Sequence, residues 1–172
     1  MAMKCRIGID FGETIGRVED HADSAGAYPY SLEMIRHLVF QFGSDHVFIV
    51  SKAGPQMQQR ISQWLKDATF FQKTNMKRSN LIFCRQYLDK VAIVEKLQIS
   101  VFFDDNFKVV SSLSKLKQVK RIFWMHADTR QLKQIARGHR NKIAITHSWS
   151  NTMKYFQKIH PDKDANVKGE TR

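Results

Sequence analysis

Short apolar runs recur along the chain, and each ends at a polar or glycine-containing segment. The runs show little polar alternation, which predicts strands that are buried on both faces of a sheet. The last of these runs is only three residues long and adds an optional sixth strand, so we expect five or six strands. The predicted strands are Ile7–Ile9, 46–50, 80–84, 99–103, Arg121–Met125 and 143–145.

The segments between these runs predict helices. Leucine, isoleucine and valine recur at helical spacing within Ser31–Phe42, where Ser31 is the expected N-cap and Gly43 the expected stop. Further helices are predicted at 54–66, 89–97, 109–116, 129–138 and 148–159. Helices of about ten residues between strands predict a doubly wound α/β fold, a three-layer sandwich around a mainly parallel sheet.

The length and composition predict a single domain. A chain of 172 residues that is 42% hydrophobic can build one full-sized core, which we expect at 1–159. The polar segment 160–172 is expected to be disordered. No stretch approaches the roughly 18 apolar residues of a membrane span, and no signal-peptide-like run precedes Asp10. We therefore expect a soluble cytoplasmic protein with no membrane partner.

The charge is unevenly distributed along the chain. Although the net charge is +12, residues 1–50 carry four basic residues against seven acidic ones. Residues 108–142 carry ten basic residues against the single acid Asp128. If these side chains share a face, they attract nucleic acid or another polyanion. The alternative is that they only solvate surface helices, because no aromatic residues interleave with 130–142.

Polar residues of the types found in catalytic and metal-binding sites follow several of the predicted strands. Asp10 ends the first strand, Ser51 follows the second, and Asp104 with Asp105 ends the fourth. Lys90 lies in the helix that precedes the fourth strand. Ligands bind beyond the carboxyl ends of parallel strands, so we expect these side chains to converge on one cleft.

This order of motifs resembles the haloacid dehalogenase (HAD) superfamily. The family has an aspartate after strand one, a serine or threonine after strand two, a lysine, and paired acids after strand four. The resemblance covers about residues 4–125 and implies a HAD-like Rossmannoid core. The intervals after the first and third strands are too short for a cap domain, which implies an open site. Lys96 competes with Lys90 for the lysine motif, and the run from Lys90 into strand four resembles the family's usual run, which favours Lys90.

The resemblance implies a Mg²⁺-dependent hydrolase that acts on a phosphorylated substrate. Asp10 would be the nucleophile, Ser51 would donate to a phosphoryl oxygen, and Lys90 would offset negative charge. The implied Mg²⁺ ligands are Asp10, the backbone carbonyl of Gly12, Asp104 and Asp105.

A narrower resemblance concerns the second motif. The segment 49–55, Ile-Val-Ser-Lys-Ala-Gly-Pro, together with Phe83-Cys84-Arg85, is similar to poorly characterised HAD-like proteins that also carry glycine at the position of Gly12. That similarity implies that Lys52 and Arg85, each just past a strand, bind the substrate's anionic group.

The chain departs from the HAD phosphatase pattern at Gly12, where those enzymes carry a second aspartate as general acid and base. General acid–base assistance is worth roughly 10²- to 10⁴-fold in rate. Glu13 is a possible substitute, although an adjacent side chain normally points away. Two hypotheses follow: a weak hydrolase, or an inactive HAD-like domain that binds a phosphorylated or nucleic-acid partner.

Overall fold

The computed structural model describes residues 5–18 and 26–159, so the predicted disorder of 160–172 lies outside the described residues. The described chain forms a six-stranded, fully parallel sheet in the order β3-β2-β1-β4-β5-β6. The strands are β1 (Ile7–Ile9), β2 (Val47–Lys52), β3 (Leu81–Cys84), β4 (Val101–Asp104), β5 (Arg121–Met125) and β6 (Ile143–Thr146). The predicted α/β class and all six strands are confirmed.

Helices cover both faces of the sheet. They are α1 (Ser31–Phe42), α2 (Pro55–Asp67), α3 (Phe70–Thr74), α4 (Asp89–Lys96), α5 (Phe107–Ser114), α6 (Arg137–Arg140) and α7 (Trp149–Ile159). One apolar core packs α1, α2, α3 and α7 against the sheet. A second core, on the opposite face, packs α4, α5 and the buried Ile135. The domain is therefore the predicted three-layer sandwich.

The strand order reverses between β1 and β4. The chain winds outward through β2 and β3, returns to place β4 beside β1, and then winds outward the other way. Ile9 pairs with Phe103, so the two strands end at the same level. A crevice opens beyond the carboxyl ends of the strands at such a switch point.

A glycine in β1 makes room for an aromatic ring of β4. A Cβ at Gly8 would lie 2.4 Å from the ring of Phe102, which is closer than any real contact. The missing side chain allows the Phe102 ring to lie over β1 within the second core. A side chain at Gly8 would therefore displace the Phe102 ring from the second core.

The predicted end of α1 is confirmed and its predicted start is partly wrong. Gly43 stops the helix with φ 92°, and its N–H donates to the carbonyl of Val39 at 2.8 Å. Ser31 is the first helical residue rather than the N-cap, because the chain enters the helix through the left-handed Tyr30. The hydroxyl of Ser31 is buried and does not cap.

The predicted helix at 129–138 is wrong. The chain forms a 3₁₀ turn at Thr129–Gln134, becomes extended at Ile135, and resumes in the short α6. Ile135 is buried in the second core, and this insertion interrupts the helix. The guanidinium of Arg140 then donates to the carbonyls of Ile135 at 2.7 Å and Lys133 at 3.0 Å.

Among the described residues, no helix combines the length and the apolar character that a membrane span requires.

Candidate functional site

Asp10 and Asp104 lie on either side of the switch point. Asp10 follows β1, and its N–H donates to the carbonyl of Phe103 at 2.9 Å, extending the pairing of β1 with β4 by one residue. Asp104 is the last residue of β4. Their exposed fractions are 6% and 0%, so two carboxylates are buried side by side at the carboxyl edge of the sheet.

Lys90 bridges these two carboxylates. Its Nζ donates to Asp10 Oδ1 at 2.6 Å and to Asp104 Oδ2 at 2.7 Å, and its side chain is 1% exposed. The start of α4 is held by Asp89, whose Oδ2 accepts from the backbone N–H groups at 85 and 86. Lys96 lies exposed at the other end of α4, so Lys90 is the lysine at this cluster.

The chain after β4 orients the acidic pair. Asp104 Oδ1 accepts from the N–H of Asn106 at 2.8 Å, and the Asn106 side chain caps α5. The carbonyl of Asp105 accepts from the indole N–H of Trp124 at 3.0 Å, so the backbone of Asp105 is tied to the neighbouring β5. These bonds fix both acids relative to the sheet.

The three aspartates form a compact set of oxygen ligands. One carboxylate oxygen from each of Asp10, Asp104 and Asp105 lies within 4.8 Å of the others. Burial raises the pKa of Asp10 to about 7, because attraction by Lys90 offsets only part of the desolvation. Burial also raises the pKa of Asp104. Burial and the charge of Asp104 raise the pKa of Asp105 to about 6.

The cluster holds three carboxylates and one ammonium, so it is short of positive charge. Burial opposes the charged form of Lys90, yet the negative charges of Asp10 and Asp104 together raise its pKa. This one ammonium faces the carboxylates of three aspartates. Carboxylate oxygens are the ligands that Mg²⁺ and Ca²⁺ prefer, and a divalent cation would supply the missing charge. The residues present therefore fit the implied Mg²⁺.

A cavity of about 320 Å³ lies at the ends of β1 and β2. Gly12, the buried Ser51 and the exposed Lys52 are among its lining residues. The ammonium of Lys52 also lies 4.9 Å from the ring centroid of Tyr87. Arg85 is exposed at the end of the outer strand β3 and does not line this cavity.

Gly12 leaves open space at the position where the sequence resemblance would place an acid. The residue is exposed, and a Cβ built there meets nothing within 4 Å. Gly12 does not adopt the left-handed conformation that favours glycine, whereas the next residue, Glu13, does so with φ 55°. A side chain would therefore fit at Gly12.

Glu13 belongs to a polar group that sequence reasoning did not find. Its Oε2 accepts from Arg17 Nε at 2.9 Å and from the hydroxyl of Tyr28 at 2.7 Å. Burial pushes the pKa of Glu13 upward, but these hydrogen bonds outweigh it and leave the pKa below its usual value. The Tyr28 ring lies 5.6 Å from that of His126, which follows β5. Glu13 is thus held by its neighbours at the rim of the cluster.

Comparisons with known proteins leave the family open. No protein-family model matches the chain. No curated protein matches it either. Among solved structures it is similar to a de novo designed Rossmann 3x3 fold protein determined by solution NMR, at 14% identity and a TM-score of 0.49, covering 89% of this chain and 93% of that one. The strand order of the sheet itself establishes the fold class.

Proposed function

We propose that the protein is a HAD-like, Mg²⁺-dependent hydrolase of a phosphate ester or anhydride. The observation that carries the proposal is the bridge from Lys90 to Asp10 and Asp104, beside Asp105, at the switch point of the sheet. A buried ammonium shared by two carboxylates is expensive to desolvate, and such clusters concentrate at functional sites. The motif order that resembles the HAD superfamily supports the same proposal.

In this proposal Asp10 attacks the phosphorus atom. A P–O bond forms to its carboxylate as the bond to the leaving group breaks, and water then hydrolyses the aspartyl-phosphate. Lys90 holds Asp10 Oδ1 in place and offsets negative charge that gathers during attack. Ser51 and Lys52, at the neighbouring strand end, donate to the phosphoryl oxygens.

A Mg²⁺ held by Asp10, the Gly12 carbonyl, Asp104 and Asp105 would screen the repulsion between the nucleophile and the phosphoryl oxygens. Lys90 and the N–H of Asn106 keep the carboxylates of Asp10 and Asp104 oriented toward one another. Arg85 lies one strand beyond the cavity, so we assign it to the outer part of a large substrate.

The open space at Gly12 restricts the substrate class. Gly12 has no acidic side chain that could protonate the leaving group, and the carboxylate of Glu13 is hydrogen-bonded to Arg17 and Tyr28. We therefore expect turnover of anhydrides, acyl phosphates and aryl phosphates, whose leaving groups need little protonation. The same observation favours a second candidate, a domain that binds a phosphorylated group without turnover.

The test is hydrolysis of an activated aryl phosphate with Mg²⁺ by the wild type and by Asp10→Asn. Asp67→Asn is the matched control, because Asp67 is an exposed acid at the end of α2. The proposal predicts activity in the wild type and the control and its loss in Asp10→Asn. Equal rates in the wild type and in both variants would contradict the hydrolase proposal. Phosphate binding that requires Asp10 without turnover would instead support the second candidate.

A further inference from the structure

Five basic residues of the second half of the chain lie at the edge of the sheet opposite the aspartates, whereas Lys108 and Arg130 follow β4 and β5 at the carboxyl edge. The strands β5 and β6 begin at Arg121 and Ile143, so the residues just before them lie at the amino edge. The cations in this position are Lys115, Lys117, Lys120, Arg121 and Lys142, which we call the basic edge. Their placement follows from the parallel topology, because all strands start on the same side.

Backbone hydrogen bonds link this edge across three strands. The N–H groups of Lys120 and Arg121 donate to the carbonyl of Ser100, just before β4, at 2.8 and 3.2 Å. The carbonyl of Lys142 accepts from the N–H of Ile122 at 2.8 Å. From Ser100 to Asp104 the chain runs roughly 13 Å along β4, so the basic edge and the aspartates are separate sites.

Main-chain carbonyls hold three of these cations in place. Lys142 Nζ donates to the carbonyl of Leu116 at 2.8 Å, and Lys120 Nζ donates to that of Lys117 at 3.0 Å. The guanidinium of Arg121 donates to the carbonyl of Asn141 at 3.1 Å. The ordering of these long side chains is thus partly complete before any ligand binds.

The cations of the basic edge lack carboxylate partners in the part of the chain that the structure describes. Asp128 is the only acid between residues 107 and 159, and it pairs with Arg130 at 2.9 Å. Burial lowers the pKa of Lys142, and the nearby charge of Lys120 adds to that shift. Like charges held together without counter-charge favour a polyanion at this edge.

We propose that the basic edge binds the phosphate backbone of a nucleic-acid duplex. The edge offers lysine and arginine without a run of aromatic rings, which suits phosphate contacts and gives no platform for stacking single-stranded bases. Among the described residues, Tyr155 is the one exposed aromatic near the basic edge, with its ring centroid 5.9 Å from the guanidinium of Arg121. An acidic lipid surface would call for exposed apolar anchors, which the segments at 115–120 and 141–142 lack.

The test measures fluorescence anisotropy of labelled RNA and DNA duplexes and of a single strand over a series of salt concentrations. The variant is Lys117→Gln with Lys120→Gln. Its control is Lys66→Gln with Lys73→Gln, which removes the same charge from exposed positions near α2 and α3. Thermal unfolding of both variants checks that the fold is intact.

Each phosphate contact adds about −0.9 to the slope of log K against log salt, so the Lys117/Lys120 variant should show a slope about two units less negative. Duplex affinity near 0.1 M salt should fall about ten- to sixty-fold in that variant and less than about three-fold in the control. The rate of aryl phosphate hydrolysis should be unchanged in both double variants. Nucleic-acid binding and hydrolysis can therefore fail independently of one another in these tests.

Three results would overturn the proposal: no duplex binding at low salt, equal losses in the two double variants, or binding to the single strand alone. Binding to phosphatidylserine vesicles without binding to either duplex would assign the edge to a membrane surface instead. Binding to both duplexes, or to only one of them, with the predicted change in slope would support it.

Discussion

Replacing Asp105 by asparagine should stabilise the metal-free protein at neutral pH. Burial and the charge of Asp104 raise the pKa of Asp105 from an ordinary value of 3.8 to about 6. A shift of about two pKa units corresponds to about 3 kcal/mol against the folded state once the carboxylate ionises. Because Asp105 is half-buried, solvent screening reduces this to about 1–2 kcal/mol.

The sign and pH window of this effect follow from the raised pKa of Asp105. Below about pH 4 the carboxyl is protonated in both the folded and unfolded states, so the substitution gains nothing there. The penalty develops as pH rises from 4 to 6 and is complete above the folded pKa of about 6. The gain in unfolding free energy of Asp105→Asn should therefore appear across this window and stay constant above it.

Added Mg²⁺ should reverse the order of stability. A cation that binds only the folded state stabilises it by about 2.7 kcal/mol at a concentration 100 times its dissociation constant. Asp105→Asn loses one charged ligand, so it should gain less than the wild type does. The measurement is urea unfolding from pH 4.5 to 8 with EDTA or Mg²⁺, with Asp67→Asn as control.

Two outcomes would refute this reasoning about Asp105. One is a stability difference between wild type and Asp105→Asn that is the same at pH 5 and pH 8 in EDTA. The other is an equal Mg²⁺-induced gain in both proteins, which would place the cation elsewhere.

Three further predictions concern the cluster and its supporting strand. Lys90→Met should lower the free energy of unfolding by about 3–5 kcal/mol at neutral pH, because two buried carboxylates lose their cation. The control Lys96→Met, at an exposed position, should change it by less than about 0.5 kcal/mol in the same denaturant titration. Gly12→Asp should fold normally and raise hydrolysis of alkyl phosphates at least ten-fold over the wild type; an unchanged rate would show that a missing acid does not limit turnover. Gly8→Ala should lower the unfolding free energy by about 1–3 kcal/mol, since its methyl group would overlap the Phe102 ring, and an unchanged melting temperature would contradict this packing.

The strands and their acidic ends could be predicted because their signals are local. An uninterrupted apolar run followed by an aspartate marks both β1 and β4. Parallel topology then requires that Asp10 and Asp104 end on the same edge. Lys90 is favoured over Lys96 because its run into β4 resembles that of the HAD family, and the structure places Lys90 between the two acids.

Other features depend on the path of the backbone, which no local pattern encodes. Tyr28 reaches Glu13 across fifteen residues because Tyr28 lies beside Ile15, to whose carbonyl its N–H donates at 2.8 Å. Glu13 itself adopts a left-handed conformation. The helix predicted at 129–138 is broken by the burial of Ile135, a tertiary effect. The five-residue α3 is too short for helical periodicity to identify.

A crystal structure grown with Mg²⁺ and beryllofluoride tests the central proposal most directly. Beryllofluoride mimics a phosphoryl group and bonds to a carboxylate oxygen in the position that a phosphoryl group would take. We predict a beryllium atom bonded to an oxygen of Asp10, with a cation contacted by Asp10, Asp104 and Asp105. The proposal would be contradicted if neither Mg²⁺ nor beryllofluoride were bound at Asp10 under saturating conditions and Lys90 were the only cation in contact with the aspartates.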